Sequence, residues 1–155
     1  MRIIGIDPGY DRFGIAVVEK ASQKDILLGS TCVVTKRKNS PSERLLDIGN
    51  VVKKFFDEFK PSFLVMESLF FANNKNTALG VAEARGVVMY LAAQKNIPCF
   101  EMTPAEIKLA VTGSGRADKN AIEKMVRLLV DLPEKKYLDD EIDAIAVALA
   151  GRNKA

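Results

Sequence analysis

Histidine is absent from this chain of 155 residues. Its absence excludes Ser-His-Asp and Cys-His catalysis, zinc sites with imidazole ligands, and every mechanism in which an imidazole moves a proton. An enzyme of this composition has to work with carboxylates, lysines, hydroxyl groups or a bound metal ion.

Cysteine is scarce, and long hydrophobic runs are missing. Only Cys32 and Cys99 occur, far apart and without a CxxC spacing, so neither a disulfide framework nor a thiolate zinc site is expected. No apolar run reaches the roughly 20 residues that span a bilayer. The first residues contain only the short apolar stretch 3–6 before an aspartate, which is unlike a signal peptide. We therefore expect a cytoplasmic protein.

Neither the charge nor the length is extreme. Lys and Arg number 23 against 20 Asp and Glu, and the formal charge of +3 permits a polyanionic partner without demonstrating one. Hydrophobic residues make up 48% of the chain, close to the globular average, which argues against disorder. The length and the lack of linkers or repeats predict a single domain over residues 1–155.

Turn residues and hydrophobic periodicity predict an α/β protein. The predicted strands are rich in Ile, Leu and Val and cover residues 2–6, 13–19, 25–33, 62–66 and 97–102. The predicted helices begin at the capping box Ser40–Glu43, near Thr77, at a second capping box Thr103–Glu106, near Asp118 and near Asp139. The last two are predicted to run to about Asp131 and to about Arg152. Three strands followed by alternating helices and strands indicate a mixed sheet with helices on both faces.

Two predicted strands end in an acidic residue. Asp7 follows the first strand and Glu67 follows the run 62–66, at the positions where strand ends in α/β sheets present functional groups. Each has an ordinary alternative, because Asp7 could simply begin a Pro-Gly turn and Glu67 could be a surface residue. If the two strands are adjacent, two like charges a few ångströms apart need a cation between them, or one of them has to stay protonated.

A third group of acids opens the last predicted helix. Asp143 lies at the edge of the buried stripe of this helix, and Asp140 lies one turn earlier on the same flank. Asp139 is also near that flank, so periodicity does not choose between Asp139 and Asp140. Stabilisation of the helix dipole is an alternative role for all of them.

Four carboxylates at strand and helix ends would form a nest of oxygen ligands suited to Mg²⁺ or Mn²⁺. Two such ions, roughly 3.5–4 Å apart, can activate water and stabilise the leaving oxygen of a phosphodiester. This chemistry requires no histidine.

Several motifs, in order and spread over nearly the whole chain, resemble the RuvC family of bacterial Holliday junction resolvases. They are IGIDPG at 4–9, ESLFFANNK at 67–75, ARG at 84–86, TPAEIK at 103–108, GSGRADK at 113–119 and DxxDAIAVA at 140–148. The resemblance implies an RNase H-like fold with a five-stranded mixed sheet. It further implies a homodimer that nicks two strands of like polarity in a four-way DNA junction, leaving 5′-phosphate and 3′-hydroxyl ends that a ligase can seal.

Carried over to this sequence, the catalytic, metal-binding acids of the family fall on Asp7, Glu67, Asp140 and Asp143, which favours Asp140 over Asp139. The implied cofactor is Mg²⁺, replaceable by Mn²⁺, with two ions in each active site. The implied cellular role is recombination and DNA repair, together with the RuvA–RuvB branch-migration complex. The helix over 77–95 resembles the helix through which the family dimerises, although packing within one chain would also explain it.

The resemblance also assigns DNA contacts. Lys108 and Lys119 match basic residues of the family, Phe70 matches an aromatic residue that contacts exposed bases, and the adjacent Phe71 could share that role. Arg116, in a glycine-rich loop, is a weaker candidate for a backbone contact. For each lysine a solvated surface position is the ordinary alternative, and for each phenylalanine a place in the core.

Three other functions are considered. Kinases and actin-like proteins also begin with a strand followed by Asp-x-Gly, but they need two such domains and a longer chain. A binding module that has lost its chemistry would be expected to lack one of the four acids, and none is missing. Short resolvase-like nucleases with an IDxG opening are the nearest alternative, and the region around Phe70 and the Asp140/Asp143 pair favour RuvC over them.

Overall fold

The fold is a mixed sheet of six strands with helices on both faces. A computed structural model describes residues 1–69 and 75–154. The strands are β1 (Arg2–Asp7), β2 (Arg12–Glu19), β3 (Asp25–Val34), β4 (Phe63–Glu67), β5 (Cys99–Met102) and β6 (Val130–Asp131). The helices are α1 (Pro41–Phe59), α2 (Lys75–Gln94), α3 (Pro104–Thr112), α4 (Lys119–Leu129) and α5 (Asp139–Ala150), followed by a short 3₁₀ turn at Gly151–Asn153.

The strands lie in the order β5-β4-β1-β2-β3-β6. β1, β2 and β3 form an antiparallel meander, whereas β4 runs parallel to β1 and β5 runs parallel to β4. The first strand is therefore central, and its carboxyl end lies between β4 and β2. Functional groups at the end of β1 have neighbours on both sides.

Alternation of side chains along the strands divides the core into two layers. One layer packs β1 and β2 against α1 and α2 and includes Ile4, Ile6, Phe13, Ile48 and Val88. The other layer packs the opposite face of the sheet against α3, α4 and α5. The predicted arrangement with helices on both faces is confirmed.

The helix starts follow the capping chemistry of the sequence. Ser40 and Glu43 form a reciprocal capping box at α1, and Thr103 and Glu106 form another at α3, so both predicted boxes are confirmed. The carboxylate of Asp118 accepts a hydrogen bond from the backbone nitrogen of Ala121 at 2.8 Å and caps α4.

Two elements differ from the sequence prediction. The sheet has a sixth strand, because α4 ends at Leu129 and Val130 then pairs with Asp25 of β3. A two-residue strand has no periodicity of its own, which explains why the pattern predicted a longer helix. The last α-helix ends at Ala150 rather than near Arg152, and Gly151 packs against Val65 and Ile3 of the sheet.

None of the helices in the described part of the chain has both the length and the apolar character that a membrane span requires.

Candidate active site

Parallel pairing of β1 and β4 places Asp7 beside Glu67. Ile6 pairs with Met66, and the next residue in each strand is the acid that ends it. The expectation that two neighbouring strands bring their terminal acids together is confirmed.

Two glycines allow α5 to lie directly on this edge of the sheet. A side chain at Gly5 of β1 would overlap the backbone of α5 at Ala144 and Ala148. A side chain at Gly14 of β2 would overlap the backbone carbonyl of Asp140, and Gly14 is itself paired with Asp7. The close approach brings the first turn of α5, and with it two more acids, to the end of β1.

The four residues Asp7, Glu67, Asp140 and Asp143, here named the acidic cluster, therefore come from β1, β4 and α5. A cavity of about 300 Å³ opens beside three of them, and its lining includes Asp7, Glu67, Asp143, Lys108 and Lys119. Asp139, which helical periodicity left as an alternative to Asp140, is exposed at the start of α5.

Burial and repulsion between like charges dominate the electrostatics of Asp7. Burial, followed by the charges of Asp143, Glu67 and Asp140, raises the pKa of Asp7 to about 7, while Lys119 opposes the rise. Burial and Asp143 also raise the pKa of Glu67, against the lowering effect of Lys108. Asp7 and Glu67 are therefore protonated more easily than ordinary carboxyl groups.

Two members of the cluster are held by cations. Nε and Nη2 of Arg12, at the start of β2, donate to the same oxygen of Asp140, at 2.8 and 2.5 Å. Nζ of Lys119, the first residue of α4, donates to Oδ2 of Asp143 at 3.3 Å. Arg12 thus uses only Oδ2 of Asp140.

The two cations have different effects on the acids. Burial raises the pKa of Asp140, but the hydrogen bonds and charge of Arg12 outweigh it, and the net pKa lies below the ordinary value. For Asp143, burial raises the pKa, and Lys119 lowers it without overcoming the rise. Asp140 is thus the only one of the four acids whose pKa is lowered, so its ionised form is the most stable of the four.

Arg85 supports Glu67 from α2, a contact that the sequence analysis did not identify. Arg85 is 6% exposed; its guanidinium donates through Nη1 to the backbone carbonyl of Glu67 and forms an ion pair with Glu101 at 2.8 Å. The available signal was the Ala-Arg-Gly motif at 84–86, which the sequence analysis used only for the family resemblance.

Glu141 fixes the start of α5 and was also not identified as a site residue. It is 5% exposed, and one of its oxygens accepts from Ser30 of β3 at 2.7 Å and from Lys135 at 2.8 Å. Its other oxygen accepts from the backbone nitrogen of Leu138 at 3.1 Å. These bonds anchor the helix turn that carries Asp140 and Asp143.

The predicted DNA contacts fall in three places. Lys108 of α3 and Lys119 of α4 line the cavity beside the cluster. Arg116 is exposed in the loop between α3 and α4. Phe70 and Phe71 lie outside the described residues.

The cluster has the donor chemistry of a site for a hard divalent cation, because all four groups are carboxylates. In their present conformations, no three acidic or cysteine side chains within residues 1–69 and 75–154 are close enough to hold one ion. The raised pKa values of Asp7 and Glu67 show that negative charge is unfavourable here, and a bound cation would offset this.

The family model described as crossover junction endodeoxyribonuclease RuvC matches residues 3–151. The chain belongs to the RuvC family. A RuvC protein of Pseudothermotoga lettingae is 41% identical over 148 residues, which is 96% of this chain and 91% of that relative. The crystal structures extend the likeness from sequence to fold.

The structure of RuvC from Thermus thermophilus has a TM-score of 0.88 at 31% identity, and covers 97% of this chain and 92% of its own. The same organism's RuvC in complex with a Holliday junction substrate has a TM-score of 0.90 at 32% identity, with the same coverage. The mixed α/β architecture expected from the sequence is therefore the RuvC fold, which is RNase H-like.

The pKa of Asp7 predicts a pH dependence of stability in metal-free buffer. Between its ordinary value of 3.8 and about 7, the native protein holds a proton that the unfolded chain has released. The contribution of Asp7 to the free energy of unfolding therefore falls as the pH rises through this window. The side chain of Asp7→Asn stays neutral at every pH. The free energy of unfolding of this variant, relative to that of the wild type, should therefore rise by about 2–4 kcal/mol from pH 4 to pH 8.

Urea unfolding in EDTA at several pH values measures this difference. A free-energy difference between wild type and Asp7→Asn that is constant from pH 4 to pH 8 would contradict the raised pKa.

Proposed function

We propose that this chain is a Holliday junction resolvase that hydrolyses phosphodiester bonds at the acidic cluster. It nicks two strands of like polarity symmetrically and leaves 5′-phosphate and 3′-hydroxyl ends for a ligase. The observation that carries the proposal is the convergence of four carboxylates from β1, β4 and α5 in a member of the RuvC family. The substrate follows from the likeness to a RuvC whose structure contains a Holliday junction.

Asp7, Glu67, Asp140 and Asp143 would hold Mg²⁺, with Mn²⁺ as a substitute, and four carboxylates are enough to serve two ions. When bound, the metal supplies a nucleophilic hydroxide and neutralises charge on the leaving oxygen. The cluster is deprotonated in that state, so Asp7 gives up the proton that it holds up to a pH of about 7.

The cations around the cluster orient its acids and the DNA. Arg12 holds one oxygen of Asp140, and Arg85 fixes the strand end that carries Glu67. Lys119 can exchange its 3.3 Å contact with Asp143 for a phosphate, because the side chain of Lys119 is largely exposed. Lys108 lines the same cavity and would contact a neighbouring phosphate.

Arg116 and the pair Phe70 and Phe71 complete the proposed DNA contacts. Arg116 is exposed, and two residues separate it from Lys119 in the sequence. For one of the two phenylalanines we propose stacking on bases exposed at the junction, at roughly 1–3 kcal/mol per base. This assignment rests on the family resemblance.

The outer face of α1 and α2 supports a homodimer. A groove between these helices is lined by apolar groups, and Leu46 and Tyr90 beside it are 61% and 64% exposed. Gly86 lies within α2, where glycine costs roughly 1 kcal/mol relative to alanine, yet a side chain there would meet nothing in the described chain. Close approach of a second subunit explains both features.

We further propose that residues 1–155 act as one nuclease domain in the cytoplasm, in recombination and DNA repair. Cooperation with the RuvA–RuvB branch-migration complex follows from the family membership.

Cleavage of a synthetic immobile four-way junction tests the proposed activity. The wild type should produce paired, symmetric, religatable nicks with Mg²⁺ and none with EDTA, and it should leave a matched linear duplex intact. Asp7→Asn should bind the junction as the wild type does and lose at least about 1,000-fold in cleavage rate, since it removes one of four carboxylates that stabilise charge in the transition state. Denaturing gels and gel-shift titrations measure the two quantities.

If the enzyme cleaves only at a particular sequence, a junction with a randomised core will contain that sequence, so the same assay is repeated with such a junction. Equal cutting of junction and duplex would replace the proposal with a less selective RNase H-like nuclease. Loss of binding together with cleavage in a folded Asp7→Asn would contradict the assignment of this residue to chemistry alone.

A matched pair of variants tests the dimer. Leu46→Glu places a charge on the proposed interface, whereas Leu128→Glu makes the same change on α4 at 60% exposure. Sedimentation velocity should show a dimer for the wild type and for Leu128→Glu, and a monomer for Leu46→Glu, because burying an unpaired carboxylate is costly. A dimer that Leu46→Glu leaves intact would contradict this use of α1 and α2.

A further inference from the structure

The segment Lys36–Arg37–Lys38, here named the basic loop, leaves the sheet at the same edge as the acidic cluster. Asp7 pairs with Gly14 of β2, and Gly14 pairs with Cys32 of β3, just before that strand ends at Val34. Adjacent strands lie about 4.8 Å apart, so Cys32 is about 10 Å from Asp7 across the sheet. The basic loop begins four residues after Cys32.

Contacts to the turn after Asp7 hold the basic loop in place. Thr35, at its base, is 5% exposed; its backbone nitrogen donates to the carbonyl of Asp11 at 3.0 Å and its hydroxyl donates to the carbonyl of Tyr10 at 2.7 Å. The buried Arg44 donates to Asp11 and Thr35, and its guanidinium stacks over the ring of Tyr10 at 3.7 Å. A fixed base reduces the entropy lost when the loop binds a partner.

The exposed side chains of the loop carry positive charge that the surrounding chain does not neutralise. Lys36 and Lys38 have no ion pair with any of residues 1–69 and 75–154. Arg37 is 85% exposed and forms an ion pair with Asp11 at 2.9 Å, but Arg44 occupies the other oxygen of the same carboxylate. One aspartate thus faces two arginines, with two free lysines beside them.

The loop lies on the opposite side of the acidic cluster from the lysines already discussed. Lys108 and Lys119 belong to α3 and α4, which pack on one face of the sheet, whereas the basic loop leads into α1 on the other face. A strand that enters the acidic cluster would therefore meet cations on both faces of the sheet edge. The acids repel phosphates, and cations that flank them offset this repulsion.

We propose that the basic loop is a second phosphate-contacting surface, which binds the DNA backbone of the junction beside the cleaved bond. The proposal rests on the proposed resolvase function. With a rise of about 3.4 Å per nucleotide, and about 10 Å between Asp7 and the strand that leads into the loop, the contacted phosphates lie roughly three to five nucleotides from the scissile one. The contacts are to backbone and carry no sequence preference.

A pair of double variants tests the loop. Lys36→Gln/Lys38→Gln removes two charges from it, and Lys20→Gln/Lys24→Gln removes two charges from exposed positions in the β2–β3 turn, at the opposite end of the sheet. Fluorescence anisotropy with a labelled four-way junction in EDTA gives the affinity at several salt concentrations. Thermal melts confirm that both variants are folded.

We expect the loop variant to raise Kd about 3- to 10-fold at 0.1 M salt and to lower the slope of log affinity against log salt by one to two, since each lost phosphate contact reduces it by about 0.9. The control should change Kd less than about 2-fold at the same salt and leave the slope as it is. Equal behaviour of the two variants would overturn the inference. A wild type without preference for junctions over duplex would instead overturn the proposed function.

Methylphosphonate substitution in the junction locates the contact. Neutralising a phosphate roughly three to five nucleotides from the cleavage site should weaken binding of the wild type. The same substitution should have little effect on Lys36→Gln/Lys38→Gln, because its partner is already gone. Equal weakening of both proteins at every position tested would contradict the assignment of the basic loop.

Discussion

Crowding of partly buried carboxylates at the end of β1 is the constraint on which the rest of the site depends. Asp7 sits where two parallel strands and a helix meet, and its burial, together with three further acids, raises its pKa to about 7. A protein that only had to fold would gain by replacing one of these acids, since buried like charges are costly. Their retention at one point makes sense if a cation joins them during function.

The surrounding structure holds this unfavourable arrangement in place. Gly5 and Gly14 let α5 lie against β1 and β2, Glu141 ties the first turn of α5 to β3, and Arg85 fixes the end of β4. In the proposed DNA complex, a polyanion that approaches four acids needs cations on both sides. The lysines of α3 and α4 would supply one side, and the basic loop after β3 would supply the other.

The sequence predicted those parts of the site that depend on local pattern. Asp7 and Glu67 could be identified because each ends a short apolar strand, and the starts of α1 and α3 because capping boxes are local signals. Only the family motif favoured Asp140 over Asp139, because helical periodicity places both residues near the same flank of α5. Contacts between distant residues were not predictable: Arg12 meets Asp140 across 128 positions, and Ser30 meets Glu141 across 111. The strand β6 was not predicted, because two residues are too few to show an alternating hydrophobic pattern.

If the four acids hold a divalent cation, binding of that cation should displace the proton of Asp7, and calorimetric titration with Mn²⁺ measures this. Repeating the titration at pH 6 in buffers of different ionisation enthalpy measures proton release without any cleavage reaction. We expect release of about one proton per site in the wild type, because Asp7 is mostly protonated at that pH, and little release with weaker binding in Asp7→Asn. Binding of Mn²⁺ without proton release, or with the same affinity in both proteins, would contradict this expectation.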